Sequence, residues 1–282
     1  MSGFGWRSFI AAVCVAIGTA ASAQSPLPSD GAANTGLKWT HLFTQYNFYN
    51  TDSDENGLDY NYRANGLSTG ANFRYGSRLA GFVYGGFMDA TDDVSAPIPN
   101  HSDYNLPQLG AQLSYTWMPN VAVGGSILVQ RIDGDFTSAT AIGSKDGWGV
   151  SGGGFMQFST ALGGLWIEVT PALSAGRNRL SQPGPVNPFI GEGLTASLGL
   201  SARYSPTVDW TIGASVTPSW VVSETDSLAD RAIGPFHTSL SVNSNFKLSD
   251  SLWLYSNFNY GIHGPDRTAQ SAVVGLSWAI GP

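Results

Sequence analysis

The sequence predicts an all-β fold, a single transmembrane antiparallel β-barrel of about 12 strands with both termini on the periplasmic side. Three observations carry this. Only 12% of the 282 residues are charged, while aromatics make up 12% and glycine reaches 35 residues. Apolar and polar side chains alternate with period two over segments longer than soluble strands usually run. The links between these segments alternate between tight turns and longer polar stretches, so the two rims differ.

Residues 1–23 read as a secretory signal peptide. Arg7 gives a weakly basic start, Phe9 to Ile17 an apolar core, and Ala21-Ser22-Ala23 a small-x-small cleavage site ahead of Gln24. That core is well short of the roughly 20 residues a spanning helix needs. Cys14 is the single cysteine and leaves with the signal, so the remaining chain has no disulfide, thiolate ligand or cysteine nucleophile. Residues 24–36 read as a short extension. Its Ser25-Pro26-Leu27-Pro28-Ser29-Asp30-Gly31 run holds two prolines and a glycine and does not support a helix. No composition break follows, so residues 37–282 read as one barrel domain. The net charge of −7 and the pI near 4.9 argue against a nucleic-acid partner.

The segments follow in order. Weakly alternating stretches cover residues 37–49, 65–75 and 78–89. Leu109, Ala111, Leu113, Tyr115 and Trp117 then alternate with Gln108, Gly110, Gln112, Ser114 and Thr116. Weaker stretches at 120–132 and 147–159 precede Leu165, Ile167, Val169 and Leu173, which alternate with Glu168, Thr170 and Ser174. Leu194 to Tyr204 and Trp210 to Val222 keep the same period. Phe236 to Leu248 is the clearest, with His237, Ser239, Ser241, Asn243, Asn245 and Lys247 on one face. Residues 252–263 and the run Ala272, Val274, Leu276, Trp278, Ile280 complete the set. A transmembrane strand needs about 9–11 residues, which these segments supply.

Short links fall at Gly76-Ser77, 118–120, 161–164, 205–209 and 248–251. Longer polar links fall near 50–60, 90–106, 133–146, 178–192 and 223–235, with a short one at 264–267. Most carboxylates lie in the longer links, among them Asp52, Asp92, Asp93, Asp103, Asp133, Asp146 and Glu192. Aromatics gather by the short turns (Tyr75, Tyr115, Trp117, Phe158, Tyr204, Trp210, Phe246, Trp253, Trp278) and again towards the long links (Tyr46, Phe48, Trp148, Trp220, Phe236, Tyr260). Amphipathic rings favour the headgroup level, so two bands mark two membrane interfaces. The expected location is the outer membrane of a Gram-negative bacterium. The expected partners are outer-membrane lipid, lipopolysaccharide and the barrel assembly machinery.

The phrases Gly66-Leu67-Ser68-Thr69-Gly70-Ala71-Asn72-Phe73-Arg74-Tyr75, Leu165-Trp166-Ile167-Glu168-Val169-Thr170-Pro171 and Ala272-Val273-Val274-Gly275-Leu276-Ser277-Trp278 resemble the translocator β-domain of autotransporters. The resemblance spans residues 37–280 and implies a 12-stranded outer-membrane barrel. It departs from the family in two respects. No passenger is legible ahead of the barrel, and the chain ends Trp278-Ala279-Ile280-Gly281-Pro282 rather than on an aromatic residue.

The polar face reads as small and neutral: Ser, Thr, Asn, Gln and Gly. Lumen-facing candidates are Arg74, Gln112, Glu168, Arg203, Asn243, Asn245, Lys247 and Asn257. Such a lining suits a non-enzymatic pore for small polar solutes. Two alternatives stand beside it: a translocator barrel working for a separate passenger, and a surface hydrolase or surface-interaction barrel. The third rests on His237 and His263, which share lumenal parity and lie near each other at one rim. The sequence holds no His-Glu-x-x-His or phosphate loop, and its Gly-x-Ser-x-Gly runs at 66–70 and 149–153 lie within strand patterns and not at a strand-to-helix elbow, so no catalytic residue, metal or cofactor is expected. His41 and His101 read as isolated. The longest link, 90–106, is expected either to protrude or to fold inward as a constriction.

Overall fold

The computed structural model describes residues 36–55, 58–95, 99–138, 141–181, 189–226, 236–262 and 267–280. The expected signal peptide and extension, residues 1–35, lie outside these. Twelve strands form one closed antiparallel barrel: β1 Leu37–Glu55, β2 Leu58–Tyr75, β3 Leu79–Val94, β4 Asn100–Met118, β5 Val121–Ser138, β6 Ile142–Leu162, β7 Leu165–Ser181, β8 Phe189–Thr207, β9 Trp210–Asp226, β10 Phe236–Ser249, β11 Leu252–Ile262 and β12 Arg267–Ala279. Each strand pairs with its sequence neighbours. β1 closes on β12 from His41 opposite Ala279 to Ser53 opposite Arg267. Closure leaves no sheet edge, the condition for crossing hydrocarbon, where free N–H and C=O groups find no water.

The tight links share one end, here called the turn rim. At Gly163 and Gly164 φ is +57° and +86°, the two-residue turn whose twist suits a hairpin, and Gly76 turns with φ +61°. The other end is the far rim. The strands run much deeper into the expected long links than the sequence suggests. Asp52, Asp92, Asp93, Asp103, Asp133, Asp135, Asp146 and Glu192 all sit in strands. Strand β3 ends at Val94 and β4 starts at Asn100, so most of the expected long link 90–106 is strand and not loop, and residues 96–98 lie outside the described residues.

The outward face explains the extra length. On β5 the outward residues Val121, Val123, Ile127 and Val129 are apolar, and Arg131, Asp133 and Asp135 follow. On β3 Val83 and Phe87 give way to Asp89 and Asp93. On β4 Leu113 and Leu109 give way to Asp103 and His101. On β7 Leu173 and Ala175 give way to Arg177 and Arg179. An apolar span of about 9–11 residues matches a tilted transmembrane strand. Beyond it β1–β9 continue as a wall wet on its outside. Among the described residues strands β10, β11 and β12 are shorter, at 14, 11 and 13 residues.

Exposed rings edge the apolar band. Tyr75, Tyr115, Trp117, Phe158, Tyr204, Trp210, Phe246 and Trp278 lie by the turn rim; Tyr46, Phe48, Phe87, Trp148, Trp220 and Phe236 lie at the other boundary. Trp253 does not belong to this girdle. It turns inward and packs edge-on against His41, with ring centroids 5.2 Å apart.

Prolines interrupt the ladders at several points, Pro107, Pro171 and Pro218 well inside the strands. The pairing of β4 with β5 passes from Asn105–Asp133 to Gln108–Gln130, skipping Pro107. That of β6 with β7 skips Pro171, and that of β8 with β9 skips Pro218. Proline has no N–H to donate, so each costs one ladder bond. Register resumes unchanged on the far side of Pro107 because the alternation of faces still dictates it.

Candidate functional site: the barrel lumen

The inward side chains of β1–β6 fill the upper lumen. Tyr49, Tyr60, Tyr62, Ala64, Ala90, Val94, Tyr104, Leu106, Leu128 and Ile132 are buried there, joined by Leu180 of β7. On these strands the lining departs from the expectation of mostly Ser, Thr, Asn, Gln and Gly. On β1–β6 large residues occupy inward positions, where a wall that stands clear of the membrane needs a core of its own. Within that core Lys145 of β6 pairs with Asp92 of β3, both side chains more than 90% buried. Lys145 Nζ also donates to Ser102 Oγ at 3.2 Å and lies 4.5 Å from the centre of the Tyr104 ring. A buried ammonium requires such company, since an unpaired charge there costs several kcal/mol, roughly 3–5 when one partner is removed.

Below this layer runs a polar belt. Tyr255 Oη donates to Gln45 Oε1 at 2.9 Å, Gln45 Nε2 to Asn47 Oδ1 at 2.8 Å, and Asn47 Nδ2 to Ser68 Oγ at 2.9 Å. From the other side Gln130 Nε2 donates to Gln108 Oε1 at 3.2 Å, and Gln108 Nε2 reaches Ser68 Oγ at 3.4 Å. Glycines make these reaches feasible. Gly275 lies between Tyr255 and Gln45, and Gly86 between Gln108 and Ser68, each in direct register with both partners.

The opposite wall is different. Thr170 and Ser174 of β7, Ser197 and Ser201 of β8, Thr211, Ser215 and Thr217 of β9, and Ser239 and Asn243 of β10 all face inward. All are only half-buried. Inward residues that keep solvent access mark open space beside them. Ser215 and Ser241 bond at 2.6 Å along this wall. Both amide atoms of Asn257 are buried without a hydrogen-bond partner among the described residues. Buried amides need partners, and facing a lumen the available one is water.

The lumen-facing candidates take these positions. Gln112 and Asn257 are buried, while Arg74, Asn243, Asn245 and Lys247 are half-buried on inward positions. Arg203 of β8 pairs with Glu168 of β7. The carboxylate also accepts from Ser201 Oγ at 3.2 Å and Trp166 Nε1 at 3.0 Å. Lys247 pairs with Asp250 in the β10–β11 turn at 2.7 Å. His237 lies inward near the far rim, and His263 lies outside the described residues, so their pairing is not described. His101 is not isolated: its ring nitrogens meet Asp93 at 2.6 Å and Asp103 at 2.8 Å. No group of three or more metal-ligating side chains occurs among the described residues. Sequence reasoning missed the Lys145–Asp92 pair. Each lies in a stretch read as a link, and only the inward parity of both residues signals it.

No family model matches the chain, and no curated protein matches it. Solved structures do. The chain superposes on the translocator domain of autotransporter NalP from Neisseria meningitidis with a TM-score of 0.74. That match has 14% identity and covers 97% of this chain and 98% of that one. The β domain of the Bordetella autotransporter BrkA gives a TM-score of 0.62 at 13% identity, covering 86% and 99%. An outer-membrane channel from Pseudomonas putida F1 gives 0.61 at 14% identity, covering 91% and 100%. The chain therefore resembles translocator β-domains and outer-membrane channels in fold. At this identity the likeness concerns the fold alone.

Proposed function

We propose that the chain is an integral outer-membrane barrel of a Gram-negative bacterium that passes small polar solutes without catalysis. The apolar band with a ring of aromatics at each boundary supports the membrane location. The two-sided lumen carries the functional reading. One wall is packed with aromatic and aliphatic side chains, and the other keeps half-exposed Ser, Thr and Asn along β7–β10. Solutes pass along the second wall, off the barrel axis, lined by hydroxyls and amides that replace hydration without binding tightly. The charged pairs Glu168–Arg203 and Lys247–Asp250 stand near the turn rim and act on ions entering from that side.

Single-channel recording on refolded residues 24–282 in a planar bilayer tests this. Steady ohmic steps are the expected result. Silence from protein shown to be folded and inserted contradicts it. The fold likeness to NalP and BrkA favours a second reading, a translocator barrel for a separate passenger. That reading is distinguished by loss of surface display of such a passenger when the barrel is deleted.

A further inference from the structure

We propose that the outward face of β4–β7 holds a docking site for a bis-phosphorylated glycolipid headgroup of the surrounding membrane, formed by Arg131, Trp148 and Arg179. The proposal rests on the membrane location proposed above. Arg131 of β5 lies opposite Trp148 of β6, which lies opposite Arg179 of β7, so the three form one row across three strands. All three are exposed and face outward.

The row sits where the apolar band ends. Val129 is the last apolar outward residue of β5 before Arg131, and Ala175 the last of β7 before Arg177 and Arg179. This is headgroup depth, where an indole is at home. A groove of about 820 Å³ opens at the same place, lined by Pro107, Leu109 and Val129 with Arg131, Trp148 and Arg179. It deepens where Pro107 breaks the β4–β5 ladder, down to inward-facing Gln108 and Gln130. Pro107, Leu109 and Val129 give it an apolar side that suits an acyl chain, Gln108 and Gln130 lie at its base, and its upper edge carries two guanidiniums beside the Asp146 carboxylate.

Those guanidiniums are available. Arg179 has no ion pair among the described residues. Arg131 has only Asp133 at 4.0 Å, a solvent-exposed contact of little strength. Arg177, one step lower, is already held by Glu192 at 3.0 Å. Asp133 and Asp146 lie one register step farther from the apolar band. The chemistry of the occupant follows from the spacing. Arg131 and Arg179 stand two strands apart, roughly 10 Å at the backbone. At that spacing each arginine can hold a phosphate of its own, and a sugar headgroup that carries two phosphates engages both. Guanidinium forks suit phosphate oxygens in paired hydrogen bonds.

Native mass spectrometry of the folded chain, released from neutral detergent doped with bis-phosphorylated lipid A, tests the site. Monophosphoryl lipid A and phosphatidylcholine are the comparison lipids, and Arg63→Gln, an outward arginine on β2, is the control. Retention of bis-phosphorylated lipid A is expected to fall roughly tenfold or more in the Arg131→Gln/Arg179→Gln variant, about what the loss of charge-assisted contacts implies. Arg63→Gln should retain it fully, and monophosphoryl lipid A should bind the unaltered chain more weakly. Equal retention in the double variant, equal loss in Arg63→Gln, or indifference to the second phosphate overturns the site. A chain that stays monomeric in buffer without detergent instead contradicts the membrane location and removes the site with it.

Discussion

Tyr255 of β11 donates its hydroxyl to Gln45 of β1 at 2.9 Å, across the whole width of β12. The reach exists because Gly275, in register with both, has no side chain. A Cβ there would stand 2.5 Å from the Tyr255 ring and 2.6 Å from the Thr44 carbonyl oxygen. This bond crosses the strand that closes the barrel and locks its register. Gly275→Val is expected to destabilise the folded barrel by about 1–3 kcal/mol through overpacking. Tyr255→Phe keeps the ring over Gly275 and loses only the hydrogen bond, about 1 kcal/mol. Urea unfolding in detergent micelles, followed by tryptophan fluorescence, separates the two. Equal costs contradict the steric role of Gly275.

The Lys145–Asp92 pair ties β6 to β3 within the packed upper lumen. Lys145→Met alone leaves a buried carboxylate uncompensated and is expected to cost about 3–5 kcal/mol. Adding Asp92→Leu should recover most of that loss, because an apolar pair of similar volume suits a core of Tyr, Leu and Ile. The same unfolding assay reads this. A double variant no more stable than the single one contradicts the pairing.

His101 carries a pH dependence. Hydrogen bonds that its ring N–H groups donate to Asp93 first, then to Asp103, raise its pKa above the ordinary 6.5, and it lies on the wet outward face beyond the apolar band. The folded state therefore binds a proton that the unfolded chain releases more readily. That contribution is fully present below about pH 6.5 and is lost as pH rises through the raised folded value. His101→Gln is expected to flatten stability across that window, and the His101 resonance should titrate above 6.5. An NMR titration midpoint at or below 6.5 contradicts the contacts.

Glu168 and Arg203 neutralise each other on the inward face of β7 and β8. Glu168→Gln leaves the guanidinium uncompensated and shifts reversal potentials towards anion selectivity. Arg203→Gln shifts them towards cations. Opposite shifts under a salt gradient are expected, and no shift in either variant places the pair away from the ion path.

Much of the fold is legible in the sequence, because hydrocarbon on one side and a lumen on the other impose period two on every strand. Phe236 to Leu248 shows it plainly, and the turn glycines mark the hairpins. The strand ends were not legible. Beyond the membrane the outward residues turn from apolar to charged, as at Val129 followed by Arg131, and a charged strand reads like a loop. The same disguise hid the lumen. Asp92, Ser102, Tyr104 and Lys145 sit in stretches that look like polar links, yet their alternate positions point into one core. One of the two partners of His101 is hidden too, since Asp93 is brought beside it only by the pairing of β3 with β4.

The proposed solute path runs along β7–β10 and not along β1–β6. Residues 24–282 contain no cysteine, so single cysteines report cleanly. The decisive measurement is single-channel conductance of Thr217→Cys and of Leu128→Cys before and after a charged methanethiosulfonate reagent. A stepwise fall in conductance is expected for Thr217→Cys and no change for Leu128→Cys, since Leu128 lies buried in the packed wall. Block at Leu128→Cys with none at Thr217→Cys contradicts it.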